Sequence, residues 1–122
     1  MSASRIIETA ELRQRVDAGP IEHFWNVVVD EYYTGELIPG SRRVPLPHVG
    51  QEVRRLGIPT DAEIVVYCNG PKCPNSAQAA EKLEAFGYTN VLVFKGGLEE
   101  WKAASLPVER DPAAASTGSV AA

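Results

Sequence analysis

Short apolar runs alternate with helical patterns along most of this chain. Residues 24–29, 64–67 and 91–94 are short, apolar and rich in β-branched side chains, which is typical of strands buried on both faces. Residues 42–46 are a weaker candidate strand, because two nearby prolines limit its length. Each connection is long enough for a right-handed βαβ unit. The alternation therefore predicts an α/β domain, with a mainly parallel sheet of about five strands and helices on both faces.

Four helical segments fill the connections. The first is predicted to have Thr9 as its N-cap and to end at Gly19. The third is predicted to open at Asn75, with Gln78 three residues later in an arrangement like a capping box. The apolar faces predicted for the last three helices are Val49, Val53 and Leu56; Ala79, Ala80, Leu83 and Phe86; and Leu98 and Trp101.

Composition limits the classes of protein that this chain can represent. Its 122 residues, of which 44% are hydrophobic and 23% charged, suit one ordinary domain with a real core. A net charge of −4 gives no support for a nucleic-acid partner. No secretory signal or membrane span is recognisable, so we expect a cytoplasmic protein without a membrane partner. We expect a folded domain over residues 1–110 and a disordered tail over residues 111–122, which are small, polar and aperiodic.

The stretch with the most chemical information is residues 68–76, CNGPKCPNS, which separates a buried strand from a helix. Open α/β sheets place their ligand crevices at the carboxyl ends of strands. The N-terminus of the following helix offers free backbone N–H groups and the positive end of a dipole. We therefore expect a thiolate of Cys68 to be stabilised there, with a lowered pKa and increased nucleophilicity. Gly70 allows a tight turn, Pro71 and Pro74 stiffen the loop, and Lys72 adds a positive charge.

Each of the two cysteines could also have a purely structural role. Cys68 could be a buried cysteine that acts as a small hydrophobic residue, and Cys73 has no required role in the loop geometry. In an unexported chain of this length, the pair suggests chemistry or packing rather than a structural disulfide. Two thiolates would need two more ligands to hold zinc, and His23 and His48 fit no metal-ligand spacing. No metal and no cofactor is therefore expected.

At these residues the chain resembles the rhodanese-like family. The resemblance is carried by the strand leading into Cys68, the small-residue helix after it, and GGLEEW at residues 96–101, which is very close to a Gly-Gly-x-x-x-Trp signature. Residues 33–41, YTGELIPGS, are similar to the family segment Tyr-x-x-Gly-His-Ile-Pro-Gly-Ala. The matches run from about residue 5 to residue 108.

The resemblance implies a sulfurtransferase. Cys68 would take a sulfane sulfur from thiosulfate, a polysulfide or a small persulfide and pass it to a thiophilic acceptor, and Cys73 could act as a resolving thiol. The residues expected to contact the sulfur donor are Asn69, Gly70, Pro71, Lys72, Pro74, Asn75 and Ser76.

Three departures from the family pattern bear on the donor. The loop is about two residues longer than usual, carries a Cys-x-Gly-Pro-x-Cys pattern, and has Asn75 where the family has arginine. The strand-end Asp-Val-Arg of the family is Asn26, Val27 and Val28 here, and Leu37 replaces a common histidine. Because arginine forks suit divalent oxyanions, these losses weaken the expectation that thiosulfate is the natural donor.

Two rival functions remain at this point. A cysteine phosphatase or arsenate reductase would also use a Cys loop, but its transition state favours an arginine that this loop lacks. The other rival is a catalytically silent rhodanese-like module that binds a partner protein, although such a module needs no thiol at position 68.

Two adjacent arginines, Arg42 and Arg43, are expected to be solvated or to steer anions.

Overall fold

The computed structural model describes residues 4–111. Its strands are β1 (Ser4–Ile6), β2 (Phe24–Asn26), β3 (Glu36–Leu37), β4 (Arg42–Arg43), β5 (Ile64–Tyr67), β6 (Val91–Phe94) and β7 (Glu109–Arg110). Its α-helices are α1 (Thr9–Ala18), α2 (Val49–Leu56), α3 (Asn75–Ala85) and α4 (Gly97–Ala103). Short 3-10 turns lie at Asp30–Tyr32 and Leu46–His48. No helix in this part of the chain is long and apolar enough to cross a membrane.

Five of the strands form one sheet in the order β1-β6-β5-β2-β4. Every pair of neighbouring strands in it is parallel, which confirms the predicted α/β architecture. The remaining two strands, β3 and β7, form a small antiparallel pair. Since β5 is the middle strand of the large sheet, the residue that follows it lies at the centre of the sheet's carboxyl edge.

Side chains that alternate along β5 divide the core into two layers. Ile64 and Val66 pack with buried residues of α2 and α3 on one face. Val65 and Tyr67 pack on the other face with residues of α1 and α4, including Leu12. Trp25 and Trp101 are both buried, one in each layer. Helices therefore cover both faces, as predicted.

Several local predictions were wrong at the ends of elements. The strand predicted over residues 24–29 ends at Asn26, because the Asn26 Oδ1 accepts the backbone N–H of Val28 and turns the chain. The strand predicted over residues 42–46 is reduced to Arg42–Arg43. Strand β1 was not predicted, since its position depends on pairing with the distant β6 rather than on a local pattern.

The helices were also misjudged at their ends. Helix α1 begins at Thr9 itself, with Glu8 as its N-cap. Leu56 and Phe86, which were expected on buried faces, are 42% and 46% exposed because each lies at the end of its helix. Of the predicted tail only Asp111 is described, and its backbone N–H donates to the Gly35 carbonyl; residues 112–122 lie outside the described part.

Candidate active site

Cys68 directly follows β5 and is completely buried. The residue before it, Tyr67, fixes the neighbouring segment through its hydroxyl, which accepts the backbone N–H of Ile38 at 2.9 Å and lies 2.6 Å from Ser41 Oγ. The strand that ends in the thiol therefore also anchors residues 38–41, part of the segment that resembles the family's Ile-Pro-Gly motif. The thiol occupies the position that an α/β sheet uses for chemistry.

The first turn of α4 holds the start of the loop formed by residues 68–76, here the Cys68 loop. The backbone N–H groups of Leu98 and Glu99 donate to the carbonyl oxygens of Cys68 and Asn69, at 3.0 and 2.8 Å. Gly97 has φ of +62°, and a Cβ there would lie 2.3 Å from the Cys68 carbonyl oxygen. The glycine is required both by its backbone conformation and by the close approach of the two segments. The GGLEEW segment thus acts as a backbone clamp on Cys68.

The surroundings of the Cys68 sulfur favour the thiol form. Its Sγ lies 3.3 Å from the Cys73 carbonyl oxygen, to which the thiol donates, and 3.5 Å from Ser76 Oγ. Burial raises the pKa of Cys68, and the neighbouring Cys73 thiol raises it further, while the hydroxyl and backbone N–H of Ser76 lower it. The net shift is upward, so the predicted lowering of the Cys68 pKa was wrong for this conformation.

The Cys68 loop itself supplies few backbone N–H donors to the sulfur. Pro71 and Pro74 have no backbone N–H. The N–H of Cys73 donates to the Gly70 carbonyl at 3.1 Å and so closes a turn within the loop. A carbonyl therefore faces the sulfur from the Cys73 side, while the N–H of Ser76 acts from the helix side.

The predicted loop residues differ in their exposure. Lys72 and Pro74 are exposed, Pro71 and Cys73 are partly buried, and Gly70 is buried. A Cβ at Gly70 would lie 2.6 Å from a carboxylate oxygen of Glu99, so a negative charge lies against the loop that the sequence pattern did not predict. Among residues 68–76 the only cationic side chain is that of Lys72.

Asn75 supports the loop rather than capping the helix. Pro74 is the N-cap of α3, and no side chain caps that end. The Asn75 Oδ1 accepts the backbone N–H of Val29 at 3.0 Å, and its Nδ2 donates to Gln78 Oε1 at 3.2 Å. The predicted cap was wrong because the buried amide binds a neighbouring segment instead.

Residues 28–33 form one wall beside the Cys68 loop. Besides the bond from Val29 to Asn75, the Asn69 Nδ2 donates to the Tyr32 carbonyl at 2.8 Å. Arg43 binds this wall from β4, donating to the Val28 carbonyl and to Asp30 Oδ1. Arg43 therefore has fixed partners, and the expectation of a solvated or anion-steering residue was wrong for it. No local signal in the sequence separates it from Arg42, because its partners are brought beside it by the pairing of β2 with β4.

No group of three or more potential metal ligands occurs within residues 4–111. What the geometry offers instead is a thiol at the carboxyl end of the central strand, a serine hydroxyl 3.5 Å from its sulfur, and a second thiol in the same loop. Such a set suits covalent chemistry at sulfur.

Comparison with known proteins defines the class. Residues 8–104 match the family model described as the rhodanese-like domain. This chain belongs to that family. Thiosulfate sulfurtransferase PspE of Escherichia coli is 34% identical over 79 residues, covering 65% of this chain and 73% of PspE.

Two further comparisons extend this result. SseB of Mycobacterium tuberculosis is 33% identical over 97 residues, which cover 77% of this chain but only 34% of SseB, so the chain spans about a third of that relative. The rhodanese-like domain of Alr3790 from Anabaena sp. superposes with a TM-score of 0.72 at 26% identity, covering 85% of this chain and 77% of that domain. The fold is thus shared with a solved rhodanese-like domain.

Proposed function

We propose that this chain is a sulfurtransferase that carries a sulfane sulfur on Cys68. The observation that carries the proposal is a thiol at the end of the central strand, clamped by α4, with the Ser76 hydroxyl 3.5 Å from its sulfur. Both the hydroxyl and the backbone N–H of Ser76 lower the pKa of Cys68. These donors would stabilise the anionic form of Cys68 or of its persulfide. The similarity to PspE, which is named a thiosulfate sulfurtransferase, supports the same class of chemistry.

The transfer consists of two balanced displacements. The Cys68 thiolate attacks the outer sulfur of a persulfide R–S–S⁻, forming the Cys68 persulfide and releasing the thiolate R–S⁻. An acceptor thiolate then attacks the outer sulfur of the Cys68 persulfide, takes it as a new persulfide and restores the Cys68 thiolate. Because Cys68 is completely buried, the loop over residues 69–74 must move to admit a donor.

The charges around the loop favour a singly charged persulfide or polysulfide over thiosulfate as the donor. Lys72 is the one cation of the loop, it is exposed, and the Glu99 carboxylate lies against Gly70. A divalent oxyanion would meet one lysine and a nearby carboxylate in place of an arginine fork. A persulfide carries less charge and depends less on such a fork.

Cys73 offers a second route from the same intermediate. Its thiolate would attack the inner sulfur of the Cys68 persulfide, forming a Cys68–Cys73 disulfide and releasing hydrosulfide. A dithiol reductant would then restore both cysteines. Both cysteines are free thiols of the same loop, and the Cys68 Sγ lies 3.3 Å from the Cys73 carbonyl oxygen, which supports this route.

The test compares sulfur transfer from thiosulfate, a polysulfide and glutathione persulfide by the wild type, Cys68→Ser and Cys73→Ser. We expect Cys68→Ser to lose transfer from every donor. Cys73→Ser should keep transfer to an external thiol but lose reductant-dependent hydrosulfide release. Full activity of Cys68→Ser with any donor would refute the assignment of the nucleophile.

One observation favours a second candidate, a silent module that binds a partner protein. Cys68 is buried and its pKa is raised, as expected for a thiol that performs no chemistry. The rate of iodoacetamide alkylation separates the two at about pH 6, where an activated thiolate reacts faster than a free thiol. The silent module would be favoured if Cys68 is alkylated more slowly than glutathione, even when sulfur donors and acceptors are present.

A further inference from the structure

Arg43 makes three contacts in different directions with the wall formed by residues 28–33. Its side chain is only 14% exposed. One Nη donates to the Val28 carbonyl, the other donates to Asp30 Oδ1 at 2.8 Å, and the guanidinium carbon lies 3.9 Å from the centre of the Tyr33 ring. These contacts hold the beginning, the middle and the end of the segment at once.

Residues 28–33 are hydrogen-bonded to both ends of the Cys68 loop. Asn69, the first residue after Cys68, donates to the Tyr32 carbonyl, and Asn75, the first residue of α3, accepts the N–H of Val29. Residues 70–74 of the loop lie between these two asparagines. A shift of residues 28–33 would therefore move both of its anchor points.

Tyr33 is held from a second side as well. Its hydroxyl donates to Asp111 Oδ2 at 2.7 Å, and the backbone N–H of Asp111 donates to the Gly35 carbonyl. The Tyr33 ring thus lies between the Arg43 guanidinium and the end of the described chain. The wall is fixed on one side by Asp111 and on the other by Arg43.

We propose that Arg43 is a positioning residue for the Cys68 loop, acting on Asn69 and Asn75 through residues 28–33. The expected effect of Arg43 on sulfur transfer rests on the proposed function, whereas its effect on the position of the loop does not. Arginine suits the role because its planar fork donates in two fixed directions while its face packs on an aromatic ring. A lysine offers one point charge and satisfies only part of this arrangement.

The experiment uses Arg43→Met and Arg43→Lys, with Arg42→Met as the matched control. Arg42 lies on the same strand, but it pairs with Glu52 at 2.5 Å and lies over the Trp25 ring, away from the wall. Its loss leaves Glu52 paired with Arg55 at 2.8 Å. Each variant is measured for Cys68 alkylation by iodoacetamide and for sulfur transfer from glutathione persulfide, after circular dichroism has established that it is folded.

We expect Arg43→Met to change the two rates in opposite directions. Losing hydrogen bonds from a charged group raises the population of open loop by roughly tenfold, so alkylation of the buried Cys68 rises by about that factor. Sulfur transfer falls by at least about tenfold, because the sulfur is no longer held in place. Arg43→Lys should lie between the wild type and Arg43→Met, and Arg42→Met should match the wild type in both rates.

Equal alkylation rates for Arg43→Met and Arg42→Met would overturn the proposal, as would a loss of transfer in Arg43→Met with unchanged alkylation. If Arg43→Met does not fold, the alkylation rate of Arg43→Lys against the wild type decides in the same way. If the wild type transfers no sulfur, the proposed function fails, while the alkylation rates still test the positioning role.

Discussion

Replacing Gly97 by alanine tests the clamp between α4 and the Cys68 loop. The new Cβ would lie 2.3 Å from the Cys68 carbonyl oxygen and 2.7 Å from the Gly70 nitrogen, and real Cβ atoms essentially never approach closer than 3.0 Å. Both neighbours are backbone atoms, so the strand end or the helix must move. The hydrogen bonds from Leu98 and Glu99 to the loop carbonyls would be lost or stretched.

The size of the effect follows from two contributions. Holding alanine at φ of +62° costs roughly 1–2 kcal/mol. Weakening two backbone hydrogen bonds adds about 2 kcal/mol. We therefore expect Gly97→Ala to lower the free energy of unfolding by about 3–4 kcal/mol, which corresponds to a fall in melting temperature of at least about 12 °C.

Two other glycines provide matched controls. Gly57 has the same φ of +62° with nothing within 4 Å of its Cβ position, so Gly57→Ala carries the conformational cost alone, roughly 1–2 kcal/mol. Gly96 has φ of −64°, and its Cβ would meet the side chain of Glu100 rather than the backbone of the Cys68 loop. We expect Gly96→Ala to cost less than Gly97→Ala and to leave the clamp in place.

Urea denaturation and Cys68 alkylation at 25 °C provide the readout. Gly97→Ala should be the least stable of the three variants and the only one with faster alkylation of Cys68. If Gly97→Ala loses no more stability than Gly57→Ala and alkylates at the wild-type rate, the close approach at Cys68 has no energetic weight and the reasoning is refuted.

Three further predictions concern the thiol and its support. Cys73→Ala removes a group that raises the Cys68 pKa, so alkylation of Cys68 at about pH 7.5 should be faster in this variant than in the wild type. Ser76→Ala removes a group that lowers the same pKa, so alkylation should be slower. The reverse order would contradict the assigned contacts. Because the folded pKa of Cys68 is raised, the unfolded state loses its proton first, and the free energy of unfolding should fall as the pH rises above about 8.5. Urea denaturation across that range should show a smaller fall for Cys68→Ser, and an unchanged fall would assign the effect to other groups. Asn75→Ala leaves the N–H of Val29 without its acceptor and should cost about 1–3 kcal/mol in the same assay, whereas a neutral result would show that the bond is dispensable.

The two central strands show what a local pattern predicts well. Ile64–Tyr67 and Val91–Phe94 agree with the predicted runs residue for residue, because strands buried on both faces are apolar throughout. Strand β1 has only three residues and pairs at the sheet edge with β6. So short a segment carries no comparable signal, and tertiary pairing alone defines it.

The candidate site also combines features that the sequence predicts with features that only the folded structure determines. The position of Cys68 follows from a buried strand that runs into a loop and a helix, which the sequence displays directly. Its raised pKa depends on burial and on the neighbouring Cys73 thiol, and these are properties of the folded loop. Part of the error was avoidable, however, because Pro71 and Pro74 have no N–H to offer an anion.

The role of Arg43 could not be deduced from sequence spacing. Its partners at Val28, Asp30 and Tyr33 lie on a segment that is brought beside it only by the pairing of β2 with β4. In the sequence it is one of two adjacent arginines, and nothing local distinguishes it from Arg42. Strand geometry separates them, since consecutive residues point to opposite faces.

Mass spectrometry of the protein after exposure to glutathione persulfide tests the central claim most directly. In Cys73→Ser, where no disulfide can remove the intermediate, we predict a gain of one sulfur atom on the peptide that contains Cys68. Addition of an acceptor thiol should remove that sulfur, and Cys68→Ser should never gain it. A folded Cys73→Ser protein that acquires no sulfur on Cys68, or acquires it equally when Cys68 is replaced, would contradict the assignment.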